Sequence, residues 1–167
     1  MRVSVICTVF NEATAVERLL DSLAAQTRPP DEVVIVDGGS TDGTQATIMR
    51  YGGQLPLKFQ EARGANIGRG RNLAARRASG DVIASTDAGV RLEPDWLEQL
   101  VATFELLTAE ELRTTHAAVA GFFQPDPHTT FELALGATTL PAVEDIQPER
   151  FLPSSRSVAW NRAAWQC

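Results

Sequence analysis

Glu32-Val33-Val34-Ile35-Val36-Asp37-Gly38-Gly39-Ser40-Thr41-Asp42-Gly43-Thr44 is the stretch on which the fold turns. Residues 32–36 read as a buried strand, because residues 33–36 form an unbroken β-branched run. The run stops at Asp37-Gly38-Gly39-Ser40, a turn cluster. A helix is expected over residues 44–50, with Gly52-Gly53 as its C-cap.

The same succession repeats on either side. Residues 3–10 form another apolar β-branched run. Thr14 with Glu17 reads as a capping box, and Val16, Leu19, Leu20, Leu23 and Ala24 follow at helical spacing until Pro29-Pro30. Downstream, strands are expected over 57–60, 82–86 and 117–123. A short helix is expected over 72–78, and a longer one over 95–107 through Trp96, Leu97, Leu100, Val101 and Phe104. From 124 to 156 the pattern weakens around Pro125, Pro127, Pro141 and Pro148, with a short helix near 131–135. A last strand is expected over 158–160 and a helix from 161. Such alternation implies an α/β domain with a mostly parallel sheet, helices on both faces and right-handed crossovers. Ligands of these sheets bind beyond the carboxyl ends of the strands. That rule selects residues 10–12, 37–42 and 87–89.

Composition narrows the partners. The chain has 167 residues, 44% hydrophobic and 22% charged, with a net charge of -6. This is an ordinary soluble balance, and it argues against nucleic acid, whose phosphates need clustered Lys and Arg. Basic residues gather between Arg63 and Arg77, which suits a small anion better than a long polyanion. Cys7 and Cys167 are too few for a disulfide framework or a zinc site, and Cys7 reads as a small core hydrophobe. No signal peptide opens the sequence, and no apolar run reaches the ~18 residues of a membrane span. A cytoplasmic protein is expected, with peripheral association at the cytoplasmic face of a membrane left open for the full-length protein.

Three clusters carry chemistry. Asp37, at a strand tip, can accept a hydrogen bond from a nucleobase, while Asp42 or Thr41 reads as a helix cap. Asp87 also ends a strand, where a carboxylate can share Mg2+ or Mn2+ with a diphosphate; a plain turn before Ala88-Gly89 is the alternative. Arg63, Asn66, Gly68, Arg69, Gly70, Arg71 and Asn72 form a glycine-interleaved basic loop suited to a diphosphate. For Arg69, Arg76 and Arg77 a solvated surface is the better reading. The glycine spacing fits neither a P-loop nor a dinucleotide fingerprint. His116 and His128 stand apart from any triad motif, and Trp96, Trp160 and Trp165 read as packing residues.

The segments Thr8-Val9-Phe10-Asn11-Glu12, residues 36–44, Asn72-Leu73-Ala74 with Ser79-Gly80-Asp81, and Thr86-Asp87-Ala88-Gly89 resemble family 2 glycosyltransferases in order and spacing. The resemblance is good to about residue 107 and weaker to 165. It implies a GT-A fold, Rossmann-like, and a nucleotide-diphosphate sugar donor, UDP-linked, whose sugar passes with inversion to an acceptor hydroxyl. It also implies a divalent cation, Mg2+ or Mn2+. Carried over by position, Glu12 and Asp37 would meet base and ribose, and Asn66, Arg71 and Asn72 would line the nucleotide or its diphosphate. Thr8, Phe10, Gly39 and Thr86 complete the nucleotide-binding set. Asp87 matches the first aspartate of the Asp-x-Asp metal motif, and Gly89 stands in place of the second.

The family's catalytic base follows a strand and helix resembling residues 157–165. Glu144-Asp145 precedes them and reads as a solvated loop, so the base is expected outside this chain. Residues 1–123 are then the nucleotide-sugar-binding subdomain, and 124–167 the start of an incomplete acceptor-side subdomain. One rival is a non-catalytic nucleotide-sugar-binding fragment. A nucleotidyltransferase ranks last, because residues 11–15 offer no triphosphate loop.

Overall fold

The computed structural model describes residues 1–127, 129–140, 143–147 and 154–165. His128, Pro141, Pro148 and Cys167 lie outside the described residues. One six-stranded sheet runs β3-β2-β1-β4-β6-β5. Its strands are β1 (Val3–Val9), β2 (Glu32–Asp37), β3 (Leu57–Glu61), β4 (Val82–Thr86), β5 (Ala118–Ala120) and β6 (Ser157–Asn161). The first four are parallel, and β6 runs antiparallel to both its neighbours, β4 and β5. Strand β6, from beyond residue 123, enters the sheet between β4 and β5.

Alternation along the strands decides which helix covers which face. Val3, Val5, Cys7 and Val9 pack with Val16, Leu19, Leu20 and Leu23 of α1 (Ala13–Ala24) and with Ile48 of α2 (Thr44–Arg50). Leu97, Leu100, Val101 and Phe104 of α4 (Trp96–Glu105) join the same cluster. On the opposite face, Ile6, Val34, Val36 and Ile83 meet Ala74 and Ala75 of α3 (Ile67–Arg77). Helices therefore lie on both faces, as the sequence pattern requires. The remaining helices are α5 (Glu111–Thr114), α6 (Thr130–Thr139) and α7 (Arg162–Trp165).

Helix α3 corrects the expected loop. It starts at Ile67, not near 72, because the Asn66 side chain caps it by accepting from Arg69 N at 2.9 Å. Gly68 and Gly70 are thus helical. A Cβ at Gly70 would lie 2.2 Å from Thr8 Cγ2, so this glycine lets α3 approach the sheet closely. Two caps also differ from expectation. Helix α1 starts at Ala13 with no side-chain cap, so Thr14 sits inside its first turn, and Ala13 N instead donates to Asp42 Oδ2 at 3.1 Å. Helix α2 runs into a tight turn at Tyr51–Gly53, and neither Gly52 nor Gly53 is left-handed. The strand over 117–123 contracts to β5, and α6 is longer than foreseen, held by a capping box of Thr129 and Glu132.

The tryptophans are packing residues. Trp160 and Trp165 stack with centroids 5.4 Å apart, and Trp96 Nε1 donates to Ser157 Oγ at 2.9 Å. Cys7 is buried; burial pushes its thiol up, and the Asp87 carboxylate adds to that.

Candidate functional site

Strands β2 and β3 lie to one side of β1, and β4 to the other, so the strand order reverses between β1 and β4. Open α/β sheets place their ligands beyond the carboxyl ends at such a point. A cavity of about 790 Å³ opens there. Thr8, Phe10 and Glu12 line it from the end of β1, Val36 and Gly38 from β2, and Asn66, Ile67 and Gly70 from α3 and its cap. Asp87, Gly89 and Val90 line it beyond β4, and Arg156 stands just before β6.

The β1 and β2 loops are tied together. Asn11 adopts a left-handed φ of 54°, its N–H donates to Ser40 Oγ at 2.8 Å, and its Oδ1 accepts from Thr41 N at 2.9 Å. Glu12 N donates to Thr44 Oγ1 at 2.8 Å. A Cβ at Gly38 would come within 3.1 Å of the Ala65 carbonyl oxygen, so glycine admits the 62–65 loop beside the turn. Gly39, at φ +99°, has a conformation that side chains rarely adopt, and a Cβ there would meet Arg63 at 3.0 Å. Phe10 projects over this region and is 60% exposed. Thr8 Oγ1 is buried without a partner among the described residues.

The expected site residues divide into two groups. Thr8, Phe10, Glu12, Asn66 and Asp87 line the cavity, whereas Asp37, Gly39, Arg71, Asn72 and Thr86 do not. Asp37 shares the edge with Asp87, but its carboxylate is fully buried and turned into its own loop. It accepts from Ser40 N at 3.1 Å, Ser40 Oγ at 2.5 Å and Gln45 Nε2 at 2.6 Å. Arg71 reaches the cavity through Asp87, with Nη2 2.8 Å from Oδ1. Asn72 is exposed on α3, and Thr86 is buried in β4. Asp42 holds the helix-start role: Thr44 Oγ1 and N donate to its Oδ1 at 2.5 and 3.0 Å. These bonds, the Thr44 hydroxyl first, keep its carboxyl below the usual range. Sequence reasoning missed Arg156, because nothing local shows that β6 lies beside β4.

A divalent cation fits in a limited way. No group of three His, Cys, Asp or Glu side chains converges among the described residues. Asp87 is a single partly exposed carboxylate on the cavity, and Gly89 adds no ligand. One carboxylate with phosphate oxygens and water is an accepted mode for Mg2+, so Asp87 suits a cation that arrives with a phosphorylated ligand.

The profile of glycosyl transferase family 2 matches residues 4–110. The chain belongs to this family. It is 37% identical over 103 residues to validoxylamine A glucosyltransferase of Streptomyces hygroscopicus subsp. limoneus, covering 59% of this chain and 23% of that protein. TarS residues 1–349 of S. aureus, solved with UDP-GlcNAc, superposes with a TM-score of 0.60 at 31% identity, covering 64% of this chain and 32% of that one. The mannosyltransferase PcManGT of Pyrobaculum calidifontis, solved with GDP-Man and Mn2+, gives 0.57 at 36% identity, over 60% and 31%. The sheet is thus the GT-A arrangement that the sequence implied. The chain spans about a third or less of the length of these relatives. Among the described residues no helix is long and apolar enough to cross a membrane.

Proposed function

We propose that this chain forms the nucleotide-sugar-binding part of an inverting glycosyltransferase whose donor is a UDP-linked sugar and whose acceptor is a hydroxyl. The observation that carries this reading is the cavity at the β1–β4 reversal, lined by Thr8, Phe10, Glu12, Asn66 and Asp87 within the segment that matches the family. The exposed ring of Phe10 offers a face for the base. Glu12 supplies a carboxylate beside it. Asp37 acts from behind, holding the Ser40 turn in shape. The N-terminus of α3, with Asn66 as cap, points polar groups at the diphosphate. The donors in the TarS and PcManGT structures support a nucleoside-diphosphate sugar.

In the transfer step, the acceptor oxygen bonds to the anomeric carbon as the bond from that carbon to the phosphate oxygen breaks. The hydroxyl proton goes to a general base, and the diphosphate leaves with the bonding pair. A Mg2+ or Mn2+ ion held by Asp87 and phosphate oxygens would supply part of the charge that stabilises the departing diphosphate. Among the described residues the lining carboxylates are Glu12, at the nucleoside end, and Asp87, paired with Arg71. Glu144 and Asp145 are exposed and do not line the cavity. These positions favour a second reading, in which this chain binds donor and the base comes from elsewhere in a longer protein. A cytoplasmic site of action, with peripheral membrane association of the full-length protein, belongs to the same proposal.

Thermal-shift screening across UDP-, GDP- and dTDP-sugars, with and without Mn2+, tests the reading. Stabilisation by UDP-sugars above the others is expected. Preference for another base would replace the UDP assignment, and no stabilisation by any of them would overturn the function.

A further inference from the structure

Antiparallel pairing sets Ser157 opposite Thr86. The residue before Ser157 therefore flanks the residue after Thr86, which places Arg156 beside Asp87 at the carboxyl edge. Among the described residues that line the cavity, Arg156 is the single Lys or Arg, against two carboxylates, Glu12 and Asp87. Its guanidinium carbon stands 4.9 Å from the centre of the Phe123 ring. A ring holds the face of a guanidinium and leaves its in-plane N–H groups free for an anion. Among the described residues its side-chain hydrogen bond is a long one, from Nε to Ser154 Oγ at 3.4 Å.

Three other arginines near the cleft are already matched: Arg71 with Asp87, Arg63 with Glu61, and Arg91 with Glu93 and Asp126; Arg69 is exposed on α3. No carboxylate pairs with Arg156 among the described residues. Gly89 widens this end, since a Cβ there would meet nothing within 4 Å.

We infer that Arg156 binds the donor's diphosphate, at the phosphate farther from the base, and supplies cationic charge there from outside the family's metal motif. This rests on the nucleotide-sugar reading above. The base end of the cavity lies over β1 and β2, and Arg156 lies beyond β4, so the two ends of a nucleoside diphosphate span the lining residues. A guanidinium fork matches phosphate oxygens in two-point fashion, which an ammonium does not.

The test is titration calorimetry of the protein with uridine, UMP and UDP, each with Mn2+ and with chelator, for wild type, Arg156→Ala and Arg156→Lys. Arg156→Ala should weaken UDP binding about ten- to hundredfold, the range of a charge-assisted hydrogen bond. The loss should persist in chelator, be smaller for UMP and be absent for uridine. Arg156→Lys should recover part of it. Melting curves confirm folding, which an exposed arginine should not disturb. Equal UDP affinity in wild type and Arg156→Ala would overturn the inference while leaving the nucleotide-sugar reading intact. Equal losses for uridine and UDP would overturn it too. A wild-type protein that binds none of the three would sink both.

Discussion

Strand β2 carries a buried carboxylate at each end, and the two ends are built for different purposes. At the amino edge, Glu32 accepts from Ser4 Oγ at 2.6 Å, Ser79 N at 2.8 Å and Ser79 Oγ at 2.9 Å, and pairs with Lys58. Three segments of chain, β1, β3 and the α3–β4 connection, are pinned to one side chain. At the carboxyl edge, Asp37 is just as buried, yet its partners Ser40 and Gln45 come from its own loop and the next helix. Glu32 is itself buried, with its oxygens taken up by these partners. Asp37 stiffens a turn beside an open cavity. Both satisfy a buried charge, but only the second leaves neighbouring groups facing empty space, and that difference separates a structural edge from a binding edge.

Breaking the amino edge should have the largest effect on stability. Burial alone would raise the Glu32 carboxyl, but the bonds from Lys58, Ser4 and Ser79 outweigh it and hold the group down to about 2, from 4.5. A folded-state value below the unfolded one means stability that is present above about 4.5 and lost as pH falls toward about 2. With Lys58 partly exposed and so screened, the contribution is on the order of 2–3 kcal/mol. Chemical denaturation at pH 7 should show Glu32→Gln losing about that much, with a smaller further loss at pH 3 than wild type suffers. A loss under about 0.5 kcal/mol would put Glu32 among ordinary surface residues.

Gly70→Ala strikes at the carboxyl edge. Its Cβ would fall 2.2 Å from Thr8 Cγ2, so α3 must move off the sheet, at a cost of about 1–3 kcal/mol. Because Thr8 and Asn66 both line the cavity, nucleotide affinity should fall as well. A variant as stable as wild type would show that α3 is not seated so closely.

The smallest effect is expected at Asp87→Ala. Thermal stability should change little, and UDP affinity in chelator should hold or rise, because Arg71 is released toward the phosphates. The gain on adding Mn2+ should vanish. Retention of that gain would place the cation on other residues.

Much of this architecture is legible in the sequence. Strands β1, β2 and β4 are mostly apolar runs ending in polar turns, so the sheet and its carboxyl-edge site follow from local pattern. Asp87 and Phe10 are found the same way. Helix α3 is obscured because Gly68 and Gly70 lower helix propensity and resemble a loop, while the reason for Gly70 lies across space in Thr8. Asp37 is readable as a strand-end carboxylate, but its inward turn depends on Ser40 and Gln45 outcompeting solvent. Arg156 is illegible from local pattern, since its place depends on a distant strand inserting beside β4.

The account's central claim is that nucleotide binds at the carboxyl edge of the sheet and not elsewhere. Amide chemical-shift mapping by NMR during a UDP titration tests it most directly. The predicted result is saturable shifts confined to residues 8–12, 36–41, 65–70 and 87–90 and the Arg156 region, with Ser4, Glu32 and Ser79 silent. Shifts centred on Ser4, Glu32 and Ser79, or none that saturate, would contradict it.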